Sequence, residues 1–167
     1  MTTLGLIGLG RIGAFHAETL SNLPEVSGLV ITDERPDVVT EIAAKYGATP
    51  ADSVESLLAS GVDGVVVAAA TPAHAELTLA AVGKGLPTFC EKPIASTAAD
   101  STRVAEAITR FGVPVQVGYQ RRFDAAFAAA WTAAEAAGVE MLCYACTLSP
   151  REIVLDKPLP IVTAETA

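Results

Sequence analysis

The sequence has no long apolar run, no excess of positive charge, few aromatic side chains and only three cysteines among its 167 residues. Each shortage excludes something. No stretch approaches the roughly 18 or more consecutive apolar residues of a membrane-spanning helix, and Met1 to Ile7 carries no basic n-region of a secretory signal. Nineteen acidic residues stand against eleven basic ones, a formal charge of -8, and the pI is near 4.7. A protein that neutralises nucleic-acid phosphates needs a basic face, so nucleic acid is not an expected partner, and neither is a membrane. Cys90, Cys143 and Cys146 cannot complete a disulfide framework, which fits a reducing compartment, and the expected location is the cytoplasm. Cys143 and Cys146 form a C-x-x-C on an expected strand, where residues three apart face opposite ways. No second pair completes a zinc site, so no metal is expected.

What the chain does have is alanine, 31 residues of it, within a hydrophobic content of 51%. That composition favours helices packed closely through small side chains. A chain of this length buries about 68–70% of the surface it exposes when unfolded, enough for a core without covalent staples. Short runs rich in branched apolar residues alternate with longer amphipathic stretches. The strands expected are Thr3 to Ile7, Gly28 to Thr32, Gly64 to Ala69, Thr88 to Cys90 and Val115 to Val117. Their near-continuous apolarity implies cover on both faces, hence a parallel sheet of the α/β doubly wound, Rossmann type. Helices are expected at Ile12 to Leu20, Asp37 to Tyr46, Val54 to Leu58, Ala73 to Lys84 and Ala98 to Phe111. In the last, Val104, Ala107, Ile108 and Phe111 share one face. Thr71 before Pro72 reads as a helix cap, and Ser96 with Asp100 as another.

Past Tyr119 the pattern changes. Gln120 to Asp124 reads as a polar hinge in which Arg121 and Arg122 either steer an anion or brace the hinge by salt bridges, with bracing preferred. An Ala-rich helix follows from about Ala125 to Ala137, with Phe127 and Trp131 at helical spacing and, with Phe123, expected in a core. A strand is expected at Glu140 to Thr147, then a proline-bearing tail with one short apolar run, Ile153 to Leu155.

The motif that carries chemistry is Gly8-Leu9-Gly10-Arg11-Ile12-Gly13, between the first strand and the first helix. In a G-x-G-x-x-G turn one glycine permits the tight bend, one lets backbone approach a pyrophosphate, and one lets helix pack on strand. Gly8, Gly10, Arg11, Ile12 and Gly13 are therefore the positions expected at the phosphates. There the N–H groups and positive dipole end of a helix bind an anion without a basic surface. Asp33, at the end of the second strand, is placed to accept hydrogen bonds from an adenosine ribose. A carboxylate there repels a 2'-phosphate, which favours NAD over NADP; Arg35 blunts the preference because it could pair with that phosphate. Glu91, Lys92 and Pro93 follow a strand at its carboxyl edge. Lys92 reads equally as a surface lysine at a turn or as a group passing a proton to or from a substrate hydroxyl. His74 reads as a polar residue at a helix end, and His16 as structural.

Taken together, G-L-G-R-I-G-A-F-H-A at 8–17, T-P-A-H at 71–74, E-K-P-I-A at 91–95 and V-G-Y-Q-R-R-F-D at 117–124 resemble one family. It is the glucose-fructose oxidoreductase, inositol 2-dehydrogenase and rhizopine-catabolism (Gfo/Idh/MocA) family, and the last motif looks most like inositol dehydrogenases. The resemblance covers residues 3 to 127. It implies a nicotinamide dinucleotide, NAD or NADP, as cofactor and hydride transfer from a secondary alcohol of a small cyclic polyol or sugar. Lys92 matches the family's active-site lysine. Thr71, Pro72 and His74 match the loop near the nicotinamide, and Glu91 the residue before the lysine. Family members run to about twice this length. Their second half supplies the substrate pocket, much of a homo-oligomer interface, and an Asp-x-x-x-His pair. No histidine follows His74 in this chain. The expected organisation is a dinucleotide-binding domain over 1–123, with 124–167 a truncated start of the substrate domain. A stand-alone or truncated NAD(P)-binding module is the alternative.

Overall fold

The computed structural model of the protein describes residues 2–136, which fall into two compact units divided after Gly118. The first unit is a six-stranded, wholly parallel sheet. In chain order its elements are β1 (Thr2–Ile7), α1 (Arg11–Ser21), β2 (Val26–Thr32), α2 (Pro36–Tyr46), β3 (Thr49–Pro50), α3 (Val54–Leu58), β4 (Gly64–Val67), α4 (His74–Gly83), β5 (Thr88–Glu91), α5 (Ala98–Phe111) and β6 (Val115–Gly118). The strand order is β3-β2-β1-β4-β5-β6, the α/β doubly wound arrangement the apolar runs imply.

Register explains why the runs are apolar throughout. Ile31, Leu6, Val66 and Phe89 stand abreast across four strands. The first three are buried in one cluster with Ala17 of α1 and Val39 and Ile42 of α2. The alternate residues Ile7, Val67 and Cys90 also stand abreast, and they pack with Leu57 and Leu58 of α3 and Ala81 of α4. Helices cover both faces of these central strands, which is why their middle residues are apolar on either side. Truncating a fully buried residue such as Leu6 costs about 2–5 kcal/mol. Burial also pushes the Cys90 thiol up.

Several boundaries differ from the sequence expectation. β3 escapes a pattern search because it has two residues, and Pro50 is tolerated because the strand lies at the sheet edge. β4 ends at Val67 and not Ala69. A 3₁₀ turn over Thr71–Ala73 precedes α4, and Ala70 holds its cap position, so Thr71 is the first helical residue and not the cap. Thr97, not Ser96, caps α5: its Oγ1 accepts from the Asp100 N–H at 3.1 Å and donates to Asp100 Oδ2 at 2.7 Å. The cap bonds the N–H three residues on, and only Thr97 has an acidic residue there to answer it. On α5, Val104 is buried as expected, but Phe111 in the last turn is 49% exposed.

The second unit, by itself, contains a 3₁₀ turn over Gln120–Phe123 and α6 (Ala125–Ala136). Asp124 caps α6, its Oδ1 accepting from the N–H groups of Ala126 and Phe127 at 2.9 and 3.1 Å. The aromatic residues expected in a core are not there: Phe123 is 80% exposed and Phe127 lies at the surface too. The Arg121, Arg122 and Trp131 side chains, the strand expected at 140–147, the run at 153–155, and Cys143 and Cys146 lie outside what is described. No helix among the described residues is long and apolar enough to cross a membrane.

Candidate dinucleotide site

From β1 the chain winds one way to β2 and β3; from β4 it winds the other way to β5 and β6. The crevice beyond the carboxyl ends of β1 and β4 is therefore the topological switch point, where open α/β sheets take ligands. The glycine turn lies there. Gly8 has φ +91°, and a Cβ on it would lie 2.5 Å from the backbone of Ala69, so both conformation and the neighbouring strand end demand glycine. A Cβ on Gly13 would collide with the carbonyl oxygen of Gly8, so helix and turn meet through bare backbone. Gly10 is different. Its φ is −64° and nothing lies within 4 Å of where its Cβ would be. Neither strain nor the protein's own packing requires glycine at position 10.

Gly10 is also the N-terminal cap of α1, and the first intrahelical bond is Ala14 N–H to Gly10 C=O at 2.8 Å. The N–H groups of Arg11, Ile12 and Gly13 therefore have no acceptor within the helix. The side chains of Arg11 and Ile12 are exposed, so what these positions offer an anion is their backbone.

Asp33 closes the turn from the side. Its Oδ2 accepts from the Leu9 N–H at 2.6 Å, while Oδ1 accepts from Arg35 N–H at 3.0 Å and Arg35 Nε at 2.8 Å. Arg35 Nη2 reaches Oδ2 at 3.2 Å, making a two-pronged ion pair. Burial alone pushes the carboxyl up. The Arg35 guanidinium, with backbone donors from Leu9 and Arg35, outweighs burial and holds it below the usual carboxylate range.

Lys92 stands at the end of β5 with its side chain exposed, its bond to Pro93 cis, and no ion-pair partner among the described residues. Glu91 beside it accepts from the Lys92 N–H at 3.3 Å through Oε2, and its Oε1 lies 2.9 Å from His16 Nε2 on α1. His74 is 2% exposed. Its Nδ1 is 2.7 Å from the Pro93 carbonyl and its Nε2 is 2.9 Å from the Ala69 carbonyl. Thr71 is half-buried and Pro72 exposed, in the turn just beyond β4. The structure thus strings Gly8 to Gly13, Asp33, Thr71 to His74 and Glu91 to Lys92 along one edge of the sheet. Sequence reasoning missed the link from His16 to Glu91. The available signal was that Glu91 alternates with Cys90 on β5 and so shares a face with Phe89, beneath α1. Among the described residues no group of three or more His, Cys, Asp or Glu is arranged to hold a metal ion.

The family model for the Gfo/Idh/MocA oxidoreductases, an NAD-binding Rossmann fold, matches residues 2–119. The chain belongs to this oxidoreductase family. Within it, the chain is 42% identical over 127 residues to the myo-inositol dehydrogenase Hyg17 of Streptomyces leeuwenhoekii, covering 75% of this chain and 39% of that protein. It is 37% identical over 126 residues to the myo-inositol 2-dehydrogenase of Thermotoga maritima, covering 74% and 38%. Among solved structures, myo-inositol 2-dehydrogenase from Lactobacillus plantarum superposes with a TM-score of 0.78 at 25% identity, covering 84% of this chain and 43% of that one. The Gfo/Idh/MocA chain described here therefore spans about two-fifths of the length of the relatives it matches.

Proposed function

We propose that these residues are the nucleotide-binding half of an inositol-dehydrogenase-type oxidoreductase, moving hydride between a secondary alcohol of a cyclic polyol or sugar and NAD. The observation that carries the reading is Gly10, a glycine that the protein's own packing and conformation do not need, at the mouth of a helix with unanswered N–H groups. Open space at that point suits a close-lying pyrophosphate. In this reading the N–H groups of Gly10 to Gly13 bind the diphosphate. Asp33 accepts from the ribose hydroxyls and, with Arg35 already paired to it, leaves little welcome for a 2'-phosphate. Thr71, Pro72 and His74 border the nicotinamide end, and Glu91 and Lys92 complete it. The nicotinamide, when bound, supplies the hydride acceptor. Lys92, exposed beside that end, gives a proton as the ammonium or takes the proton of the substrate hydroxyl as the neutral amine. In this reading the binding domain expected over 1–123 is built on the first compact unit, which ends at Gly118, and the residues beyond it open the substrate domain.

A second reading, a cofactor-binding module without turnover, rests on the glycine turn and Asp33, which suit a dinucleotide and need no substrate. Two measurements separate them. Saturable stabilisation by NADH is expected under both, and a flat melting temperature at millimolar NADH sinks both. NAD reduction dependent on myo-inositol or a sugar, once the substrate half of a relative is joined to the chain, is expected only under the first.

A further inference from the structure

Lys92 stands in a turn tethered from both faces of the sheet, and the two tethers are the chain's only two histidines. On the α1 face, His16 Nε2 meets Glu91 Oε1 at 2.9 Å, and the other oxygen of the same carboxylate takes the Lys92 N–H at 3.3 Å. The His16 ring is itself held edge-on by Phe89, with centroids 5.6 Å apart. On the α4 face, His74 spans the Pro93 carbonyl at 2.7 Å and the Ala69 carbonyl at 2.9 Å, joining the end of β4 to the residue after Lys92. Both of its partners are acceptors, so a neutral ring donates to one of them and a doubly protonated ring to both. One carbonyl would answer the N–H of a neutral buried ring. His74 instead lies within hydrogen-bond reach of carbonyls on two separate segments, His16 joins α1 to β5, and both sets of contacts converge on the residues flanking one exposed lysine.

We infer that His16 and His74 are positioning residues for Lys92, aiming its ammonium by fixing the backbone on either side of it. The inference rests on the reading of Lys92 as the group beside the nicotinamide. Lysine has a flexible stem, so only its backbone can be pre-set, and displacement of about 1 Å at a reacting group is enough to cost rate. His16 also ties Lys92 to α1, the helix whose N-terminus faces the diphosphate, so that one element serves both ends of the cofactor.

The test uses the whole chain with its four lysines labelled as ¹³C-dimethyl derivatives, which keep their charge, the Lys92 signal being assigned by its loss in Lys92→Arg. In the wild type, saturating NADH displaces the Lys92 signal. In His16→Leu and His74→Leu the displacement drops by about half or more, and in His16→Gln, whose amide still donates to Glu91, it returns. If His74→Leu does not fold, the two His16 variants, at a ring 18% exposed, decide alone. Equal displacement in wild type and His16→Leu, each saturated with NADH, overturns the positioning role and leaves the reading of Lys92 intact. A wild-type Lys92 signal that NADH does not move overturns the reading, and the positioning role falls with it.

Discussion

The Leu9 N–H donates to Asp33 Oδ2 at 2.6 Å, across 24 residues of chain. The bond joins the glycine turn after β1 to the acidic residue after β2, so the backbone proposed for the diphosphate and the carboxylate proposed for the ribose are set by one contact. Asp33 therefore shapes the turn as well as offering an acceptor to a ligand.

That double role has a pH signature. Asp33 has a carboxyl held below its ordinary value, so the stability it contributes is present above the unfolded-state pKa of about 4 and is lost as pH falls through the lower folded value. Asp33→Ala is expected to lose about 1–3 kcal/mol at pH 7, the range for hydrogen bonds to a charged group and a stranded donor. The gap to wild type should shrink as the pH is lowered below about 4. Urea unfolding of both proteins across that range measures it, and a gap independent of pH refutes the electrostatic account.

What the sequence disclosed followed how local each rule is. Gly8, Gly10 and Gly13 were legible because a turn between strand and helix is written in adjacent residues, and Asp33 because it ends the next strand. The His16 contact with Glu91 spans 75 residues and depends on α1 lying over β5, which no spacing rule carries. β3 was invisible because two residues have no period. The placement of Phe123 and Phe127 in a core failed because helical spacing says which residues share a face but not what covers that face.

The cap of α5 gives a test at one-residue resolution. Thr97→Ala should cost about 1 kcal/mol, since it strands the Asp100 N–H and removes one of the two partners of its carboxylate, the other being Arg103. Ser96→Ala, one position earlier and exposed, should change stability by less than about 0.5 kcal/mol. Thermal unfolding of the two variants side by side reads the register directly, and the reverse ranking would return the cap to Ser96.

Cofactor choice should follow the pairing of Asp33 with Arg35. Replacing Asp33 by Ser removes the charge that repels a 2'-phosphate and frees a guanidinium now held by two prongs. The NADPH-to-NADH affinity ratio should rise by about tenfold or more, equivalent to about 1.4 kcal/mol. Adding Arg35→Ala should cancel most of that gain, because the phosphate then loses its counter-charge. Titration of each variant with both dinucleotides checks the pair; a ratio unmoved by Asp33→Ser means that the ribose lies elsewhere.

Gly10 and Gly13 separate a glycine required by the fold from one kept open for a ligand. A methyl group at Gly13 meets the Gly8 carbonyl oxygen, so Gly13→Ala must shift backbone and should cost at least about 1–3 kcal/mol of stability. A methyl group at Gly10 meets nothing within 4 Å and sits on ordinary φ, so Gly10→Ala should cost about 1 kcal/mol or less, the loss of a modest helix cap. Its effect should fall on the cofactor: the added methyl occupies the approach of the diphosphate to the α1 N-terminus, and NADH affinity should drop by about tenfold or more. Denaturant unfolding and NADH titration of both variants are the measurements. Gly10→Ala binding NADH as well as wild type would remove the observation on which the dinucleotide reading stands, whatever the family resemblance suggests.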